Sequence, residues 1–473
     1  MFNKDVYIGR RAALKKMLDK GIALFPANNE APFNYPDNTY IYRQDSNFSY
    51  YFGLNHPDLV GVIDFETGEE LLFGVDVTID DVIWCGPLPS LQEQGDRIGI
   101  QDCRDFNRFG DYVQQAMAQG RKIHILPTYR ADTKIQMAHW LNCHISQVAD
   151  YVSLDLIKAV IAMREIKSDI EIAEMEKAAN TAYYMHTTAM KLCKPGMVEQ
   201  EIAGVVEGLS LSGGGPVSFP VILSVDGQTL HNHSHHNVLK EGRMMVCDAG
   251  AETENYYASD FTRTTPVGGK FNTRQREIYE IVLKANQRVA ENTRPYIPYM
   301  TMHTLACRTL IEGLKEVGLM KGDIDEALMA GAHWLFMPHG LGHMLGMDVH
   351  DMEGLGETYV GYDEITPRST KQGFSCLRCG KTLKPGFVVT DEPGIYFIPT
   401  LIDLWKAEGK HKEFINYDKL ESYKDFGGIR IEDDLLITED GCRILGRPIP
   451  KTVSEVEDMC AQGREWIKMP GLY

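Results

Sequence analysis

The spacing of apolar and polar positions divides the chain into two stretches of different character. In the first, residues 10–20 place Ala13, Leu14 and Met17 at helical intervals, and Ile22-Ala23-Leu24-Phe25 makes a short buried strand ending at Pro26. Residues 59–65 predict a strand that turns at Glu66-Thr67-Gly68, and residues 71–75 and 122–126 predict two more. A helix fits residues 109–117, while residues 42–51 mix aromatic with polar side chains. This stretch gathers no cluster of acids or histidines and reads as a small α/β unit serving as scaffold, lid or subunit contact.

The pattern changes at residues 154–167, which mark the expected domain boundary. Ser168-Asp169-Ile170-Glu171 has the form of a capping box and opens an amphipathic helix carrying Ile172, Met175, Ala179, Ala182 and Met185, stopped by Pro195-Gly196. A second helix follows Gln200 and ends at the Gly213-Gly214-Gly215-Pro216 break. Strands fit residues 219–224 and 244–248, helices 274–291 and 302–317, and strands again 387–390, 394–398 and 428–437. The expected organisation is a domain over 1–160 and a larger one over 161–473, of the α+β class with helices laid on a mixed sheet.

Composition narrows the function. A formal net charge of −18 argues against nucleic acid or an anionic membrane as partner. No apolar run approaches the ~18 residues that span a bilayer, and the first residues lack the continuous apolar segment of a secretory signal, so a cytoplasmic protein is expected. Of ten cysteines only Cys376 and Cys379 have ligand-like spacing, and no second pair completes a tetrahedral zinc site. They read as reduced thiols.

The chemistry gathers in Met337-Pro338-His339-Gly340-Leu341-Gly342-His343-Met344-Leu345-Gly346-Met347-Asp348-Val349-His350-Asp351, where three imidazoles sit on a glycine-rich segment. Histidine serves as general acid, base and metal ligand, and glycine admits close backbone approach. Acidic partners lie elsewhere. Asp248 and Asp260 fall on two hairpin strands, side by side across a polar turn at 252–255. Glu392 precedes Pro393-Gly394, and Glu432 alternates with Arg430 on one face of a strand. Taken singly, Asp248 fits an Asx turn and Arg430–Glu432 a surface ion pair. Together, four carboxylates and one imidazole suit two hard or borderline divalent ions about 3.5–4 Å apart, which can share a hydroxide and clamp a forming oxyanion, as peptide hydrolysis requires.

Six blocks now stand in order: Asp248-Ala-Gly, Ser259-Asp260, His339-Gly-Leu-Gly-His343, Asp348-Val-His350-Asp351, Glu392-Pro-Gly and Gly428-Ile-Arg-Ile-Glu432. With them the chain resembles the aminopeptidase P and prolidase branch of the pita-bread metallopeptidases, and Tyr42-Arg43-Gln44-Asp45-Ser46-x-Phe48 resembles that branch's creatinase-type N-terminal domain. The resemblance implies two divalent ions, usually manganese, held by Asp248, Asp260, His343, Glu392 and Glu432. It further implies Glu392 as the group that takes a proton from the attacking hydroxide, His350 as stabiliser of the tetrahedral intermediate and His231 as a substrate-binding histidine. His339 would line the pocket, Arg430 would orient the carboxylates, and His233, His235 and His236 would lie on the surface. Arg378 aligns with the arginine by which prolidases hold a dipeptide's carboxylate, a task suited to a guanidinium.

The spacing from Asp248 to Asp260 is longer by one residue than the branch's usual hairpin, and residues 399–426 form an insertion more like prolidase. The implied activity is hydrolysis of the Xaa-Pro bond of peptides with proline second, as aminopeptidase or dipeptidase, in a homodimer or higher oligomer. The alternative, a non-catalytic pita-bread module that binds peptides or proteins, predicts the loss of one or more ligands, whereas all five are present.

Overall fold

A computed structural model describes residues 1–462; the last residues of the expected second domain, 463–473, lie outside the described residues. The chain forms two compact units, Met1–Arg164 with Gly354–Gly356, and Glu165–Glu353 with the residues from Glu357 onward.

The first unit is built on a five-stranded sheet, in the order Asp102–Asp105, Glu70–Gly74, Leu59–Asp64, Ile22–Pro26 and Ile123–His124. Leu59–Asp64 is antiparallel to both neighbours, and the two outer pairings are parallel. Leu24, Val62, Phe73, Phe109 and Trp140 pack into its core. The first helix spans Lys4–Leu14, earlier than the expected 10–20: Asn3 caps it by accepting from the Asp5 amide, and its inner face buries Tyr7, Arg10, Arg11 and Leu14. Arg11 is fully enclosed, donating to Glu70 and to the carbonyls of Tyr51 and Ile98. The aromatic-polar stretch holds a helix, Ser46–Phe52, because the Asp45 carboxylate caps the amides of Asn47 and Phe48. The expected boundary stretch carries another helix, Leu154–Arg164.

In the second unit Ser168 opens the Asp169–Leu192 helix, and the Glu171 carboxylate accepts from the Ser168 amide at 3.0 Å. Three short sheets follow: Phe261–Pro266, Met244–Ala249 and Ile222–Ser224; Val388–Asp391, Asp433–Ile437 and Cys442–Ile444; and the pair Gly394–Tyr396 with Gly428–Arg430. The single strand expected over 428–437 is thus two. Gly428–Arg430 pairs with Gly394–Tyr396, and Asp433–Ile437 crosses to Val388–Asp391. Between them Glu432 bridges to Thr262, joining two sheets.

Arg263 secures this junction. It is buried and donates to the Glu432 carbonyl at 2.7 Å, the Asp433 carboxylate at 2.7 Å and the carbonyls of Thr262, Ile449 and Pro450. Lys451 reaches the other Asp433 oxygen at 2.6 Å. Burial alone would raise the Asp433 carboxyl, but Arg263 and Lys451 outweigh it and hold it far below the usual range.

The insertion is well packed. Its helix, Pro399–Glu408, starts with proline in the first turn and ends at Gly409 in the left-handed conformation. Trp405 is buried and stacks on Trp334, with centroids 5.9 Å apart.

Replacing Asp433 by Asn should cost about 3–5 kcal/mol by leaving Arg263 buried without its counter-charge. Urea unfolding checks this; a midpoint within error of the parent's would show that the pair does not secure the junction.

Candidate metal centre

Asp248 lies within the Met244–Ala249 strand and faces Thr262 across the ladder. Asp260 directly precedes the Phe261–Pro266 strand, so the two aspartates are diagonal neighbours on one face and not directly opposed, as the plain hairpin predicts. The long spacing is absorbed beyond the ladder. There Glu252 bridges Ala258, the Thr253 amide donates to the Tyr257 carbonyl at 3.0 Å, and Tyr256 takes a φ of 65°. The bridge to Thr262 brings Glu432 onto the same face.

The histidine segment runs alongside the strand carrying the other acid. The Thr390 amide donates to the His343 carbonyl at 3.0 Å, and the Glu392 amide to the Leu341 carbonyl at 2.9 Å. Glycine is required at 342, where a Cβ would lie 2.0 Å from the Thr390 carbonyl oxygen. His343 donates through Nδ1 to the Met344 carbonyl at 3.0 Å, which leaves the Nε2 lone pair facing Asp260 at 3.4 Å and Glu392 at 3.8 Å. Asp260, His343 and Glu432 each offer a ligand atom, all within 4.8 Å of one another.

Arg430 is the cation bonded to this group. It donates to Asp248 at 2.5 Å, to the Thr262 hydroxyl at 3.0 Å and to the Tyr396 hydroxyl at 2.8 Å. Thr262 passes the constraint on, donating to Glu432 at 2.6 Å. Arg430 therefore reaches Glu432 through a hydroxyl rather than as the surface pair that their spacing alone allows.

The acids are strained electrostatically. Burial, reinforced by Asp248, pushes the Asp260 carboxyl well above its ordinary range. Burial raises Glu392 and Glu432 likewise, with Asp260 and Asp248 adding to it and Arg430 opposing. Burial drives His343 down to about 4 and His339 to about 3, so both imidazoles are neutral near pH 7, with the His343 Nε2 lone pair open towards the acids. Asp248 Oδ1 and Asp260 Oδ1 are buried and receive no hydrogen bond among the described residues. Unbonded carboxylate oxygens, neutral imidazole and mutual repulsion are together what divalent cations would satisfy, so this donor set fits them.

A cavity of about 700 Å³ opens onto the group, and every site residue singled out from the sequence lines it: His231, Asp248, Asp260, His339, His343, His350, Arg378, Glu392, Arg430 and Glu432. His233 is exposed, as expected, and lines the cavity as well. Residues that sequence reasoning missed complete the polar network. Tyr396 accepts from Arg430 and meets His339 Nε2 at 2.9 Å, and Glu353 accepts from His350 Nδ1 at 2.5 Å. Arg378 is paired with the same Glu353 and lies 3.7 Å from Glu357. The spacing of Glu353 three residues after His350 was the available signal.

Comparison with known proteins places this architecture. Residues 173–439 match Metallopeptidase family M24, and residues 7–126 match the aminopeptidase P N-terminal domain. The chain belongs to the M24 metallopeptidases. Human Xaa-Pro dipeptidase is 31% identical over 444 residues, covering 89% of this chain and 85% of that protein. A probable Xaa-Pro aminopeptidase of Verticillium alfalfae is 33% identical over 422 residues, covering 88% and 87%. Among solved structures, the aminopeptidase PepP of Pseudomonas aeruginosa superposes with a TM-score of 0.79 at 28% identity, over 97% of this chain and 98% of its own. Zinc-substituted Escherichia coli aminopeptidase P in complex with product gives a TM-score of 0.78 at 28% identity, with the same coverage. The fold is that of aminopeptidase P, an M24 catalytic domain with its N-terminal domain.

Thr262 is buried between Arg430 and Glu432, so Thr262→Val should remove two hydrogen bonds with little change of shape. The expected loss is about 1–3 kcal/mol in denaturant unfolding. An unchanged stability would mean that the hydroxyl does not tie the two together.

Proposed function

We propose that the chain is a dinuclear-metal exopeptidase that hydrolyses the Xaa-Pro bond at a free N-terminus, as Xaa-Pro aminopeptidase or Xaa-Pro dipeptidase. The observation that carries this reading is the convergence of Asp248, Asp260, His343, Glu392 and Glu432 on one cavity, with carboxylate oxygens left unbonded. These five side chains would hold two divalent ions, manganese by the resemblance of the motifs. When bound, the ions would lower the pKa of water and neutralise the oxyanion of the transition state.

The chain's own residues supply orientation and proton handling. Arg430 fixes Asp248 directly and Glu432 through Thr262. Glu392, which lines the cavity 3.8 Å from His343 Nε2, would take the proton of the attacking water and return it to the leaving nitrogen. His350 Nδ1 donates to Glu353, so Nε2 is the atom left for the developing oxyanion; burial holds this imidazole down to about 3 against the opposing Glu353 charge, so its role would need a proton gained as negative charge develops. His231 and His339 contact the substrate. Phe219, Pro220, Leu230 and Val349 form an apolar wall for a pyrrolidine ring. Arg378 faces the cavity as the anchor for a dipeptide's carboxylate, sharing its guanidinium with Glu353 and Glu357.

The ten cysteines are all free, which supports a reducing, cytoplasmic setting. We assign the first unit to the creatinase-type N-terminal domain and the second to catalysis, in a homodimer or higher oligomer.

The manganese-loaded protein should cleave Xaa-Pro substrates, and their length separates the two activities. Preference for a dipeptide over the matched Xaa-Pro-Xaa tripeptide, lost selectively in Arg378→Ala, marks a dipeptidase. Release of the first residue of the tripeptide marks an aminopeptidase, and cleavage of neither overturns the proposal.

His350→Ala should lower kcat by about 10²–10³-fold with little change in KM. An unchanged kcat removes His350 from its assigned role.

A further inference from the structure

Away from the carboxylate group, a second set of metal-ligating side chains is enclosed in the core of the same unit. His303 and Cys307 lie one turn apart on the Tyr299–Glu316 helix, and His333 comes from the short 3-10 helix Ala332–Leu335. Each offers one ligand atom, all within 4.8 Å of one another, and none of the three is more than 1% exposed. Both imidazoles turn Nε2 towards a single acceptor, the Gly373 carbonyl, at 2.7 Å from His303 and 3.3 Å from His333. That engagement leaves both Nδ1 atoms as lone pairs. His333 Nδ1 is buried without a hydrogen-bond partner among the described residues, and His303 Nδ1 has only the Cys307 sulfur, at 3.8 Å. His186 in the same unit also bonds a carbonyl through Nε2 with Nδ1 left over, so what sets this place apart is that two such imidazoles meet a thiol. An imidazole held through one nitrogen by a backbone carbonyl, with the other nitrogen unused, is the arrangement that metal-ligating histidines adopt.

The spacing fits as well. Tetrahedral zinc with ordinary Zn–S and Zn–N bonds separates sulfur from nitrogen by about 3.6 Å; the Cys307 sulfur lies 3.8 Å from His303 Nδ1 and 3.6 Å from its Nε2, so a small turn of the thiol towards Nδ1 would accompany binding. Burial keeps His303 neutral down to about 4 and His333 to about 3, so neither lone pair is lost to a proton at physiological pH. Gly373 is fitted to this place: its φ is 84°, and a Cβ there would lie 2.5 Å from His333 Nε2.

We propose that His303, Cys307 and His333 form a second, independent cation site that takes one zinc-class ion through the two Nδ1 atoms and the Cys307 thiolate. Binding exchanges the thiol proton for a metal–sulfur bond and releases that proton to solvent. The donor set, one sulfur and two nitrogens, selects a borderline-soft cation, in contrast with the oxygen-rich catalytic group. Because Gly373 holds both imidazoles and Phe374 packs edge-on against both, an ion here would clamp the segment leading to Cys376 and Arg378, which line the catalytic cavity.

The test is full-length protein produced in cobalt-supplemented medium and examined for near-ultraviolet thiolate-to-cobalt charge transfer, which a centre of carboxylates and imidazole cannot give. The band should appear in the parent, in Asp260→Asn and in Cys376→Ala. It should be absent from Cys307→Ala and His333→Gln, each with one cobalt fewer per chain by elemental analysis and an unchanged circular-dichroism spectrum. No band in the parent overturns the proposal, as does a band that survives Cys307→Ala or disappears with Cys376→Ala. If Cys307→Ala does not fold, the His333→Gln pair of measurements decides by the same criteria.

Discussion

Carboxylates held together away from water repel one another, and the repulsion strengthens as solvent is removed. Asp248, Asp260, Glu392, Glu432 and Asp434 crowd the inner side of the catalytic unit, with Arg430 the cation in hydrogen-bond contact with Asp248. Left to themselves these groups would take up protons or push the strands apart. The backbone bridges Thr262–Glu432 and Met344–Val389, the second tying the histidine segment to the Val388–Asp391 strand, hold them in place instead. The same crowding makes the place attractive to divalent cations, so one electrostatic cost both demands a rigid scaffold and creates the affinity that relieves it.

Asp433 and Asp434 show how far the outcome depends on neighbours. Both are buried on one strand, yet Asp433 is held far below the usual carboxylate range and Asp434 is pushed well above it. Burial raises each. Arg263 and Lys451 overcome it for Asp433, whereas Asp434 faces Asp260, which adds to it. A paired acid of this kind secures structure; Asp434, beside another acid, is held among the described residues only by the Asp260 amide, which donates to it at 3.1 Å.

Much of this was legible in the chain. The histidines and acids announced themselves because glycine-rich or apolar surroundings are costly places for them, and short apolar runs located most strands of the second unit. The start of the first helix was hidden because before Arg10 it buries Tyr7 and leaves Ile8 exposed, so no apolar stripe marks its first turns. The crossing of the chain from one sheet to another after Arg430 was equally hidden, since Ile429 and Ile431 keep the alternation of one unbroken strand. Thr262, Tyr396 and the grouping of His303 and Cys307 with His333 depend on tertiary approach, to which local patterns are blind.

The change of sheet after Arg430 has a consequence for how this segment can vary. Alternate residues face opposite ways, so Glu432 and Asp434 look towards the cavity acids and Asp433 towards Arg263. Losing or gaining one residue here would turn Asp433 to the cavity and set its neighbour against the guanidinium. The three positions would still be acidic, but an acid that now faces the cavity side would lie against Arg263 in place of Asp433. Side chains at the edge of this segment can be exchanged one at a time; its length cannot.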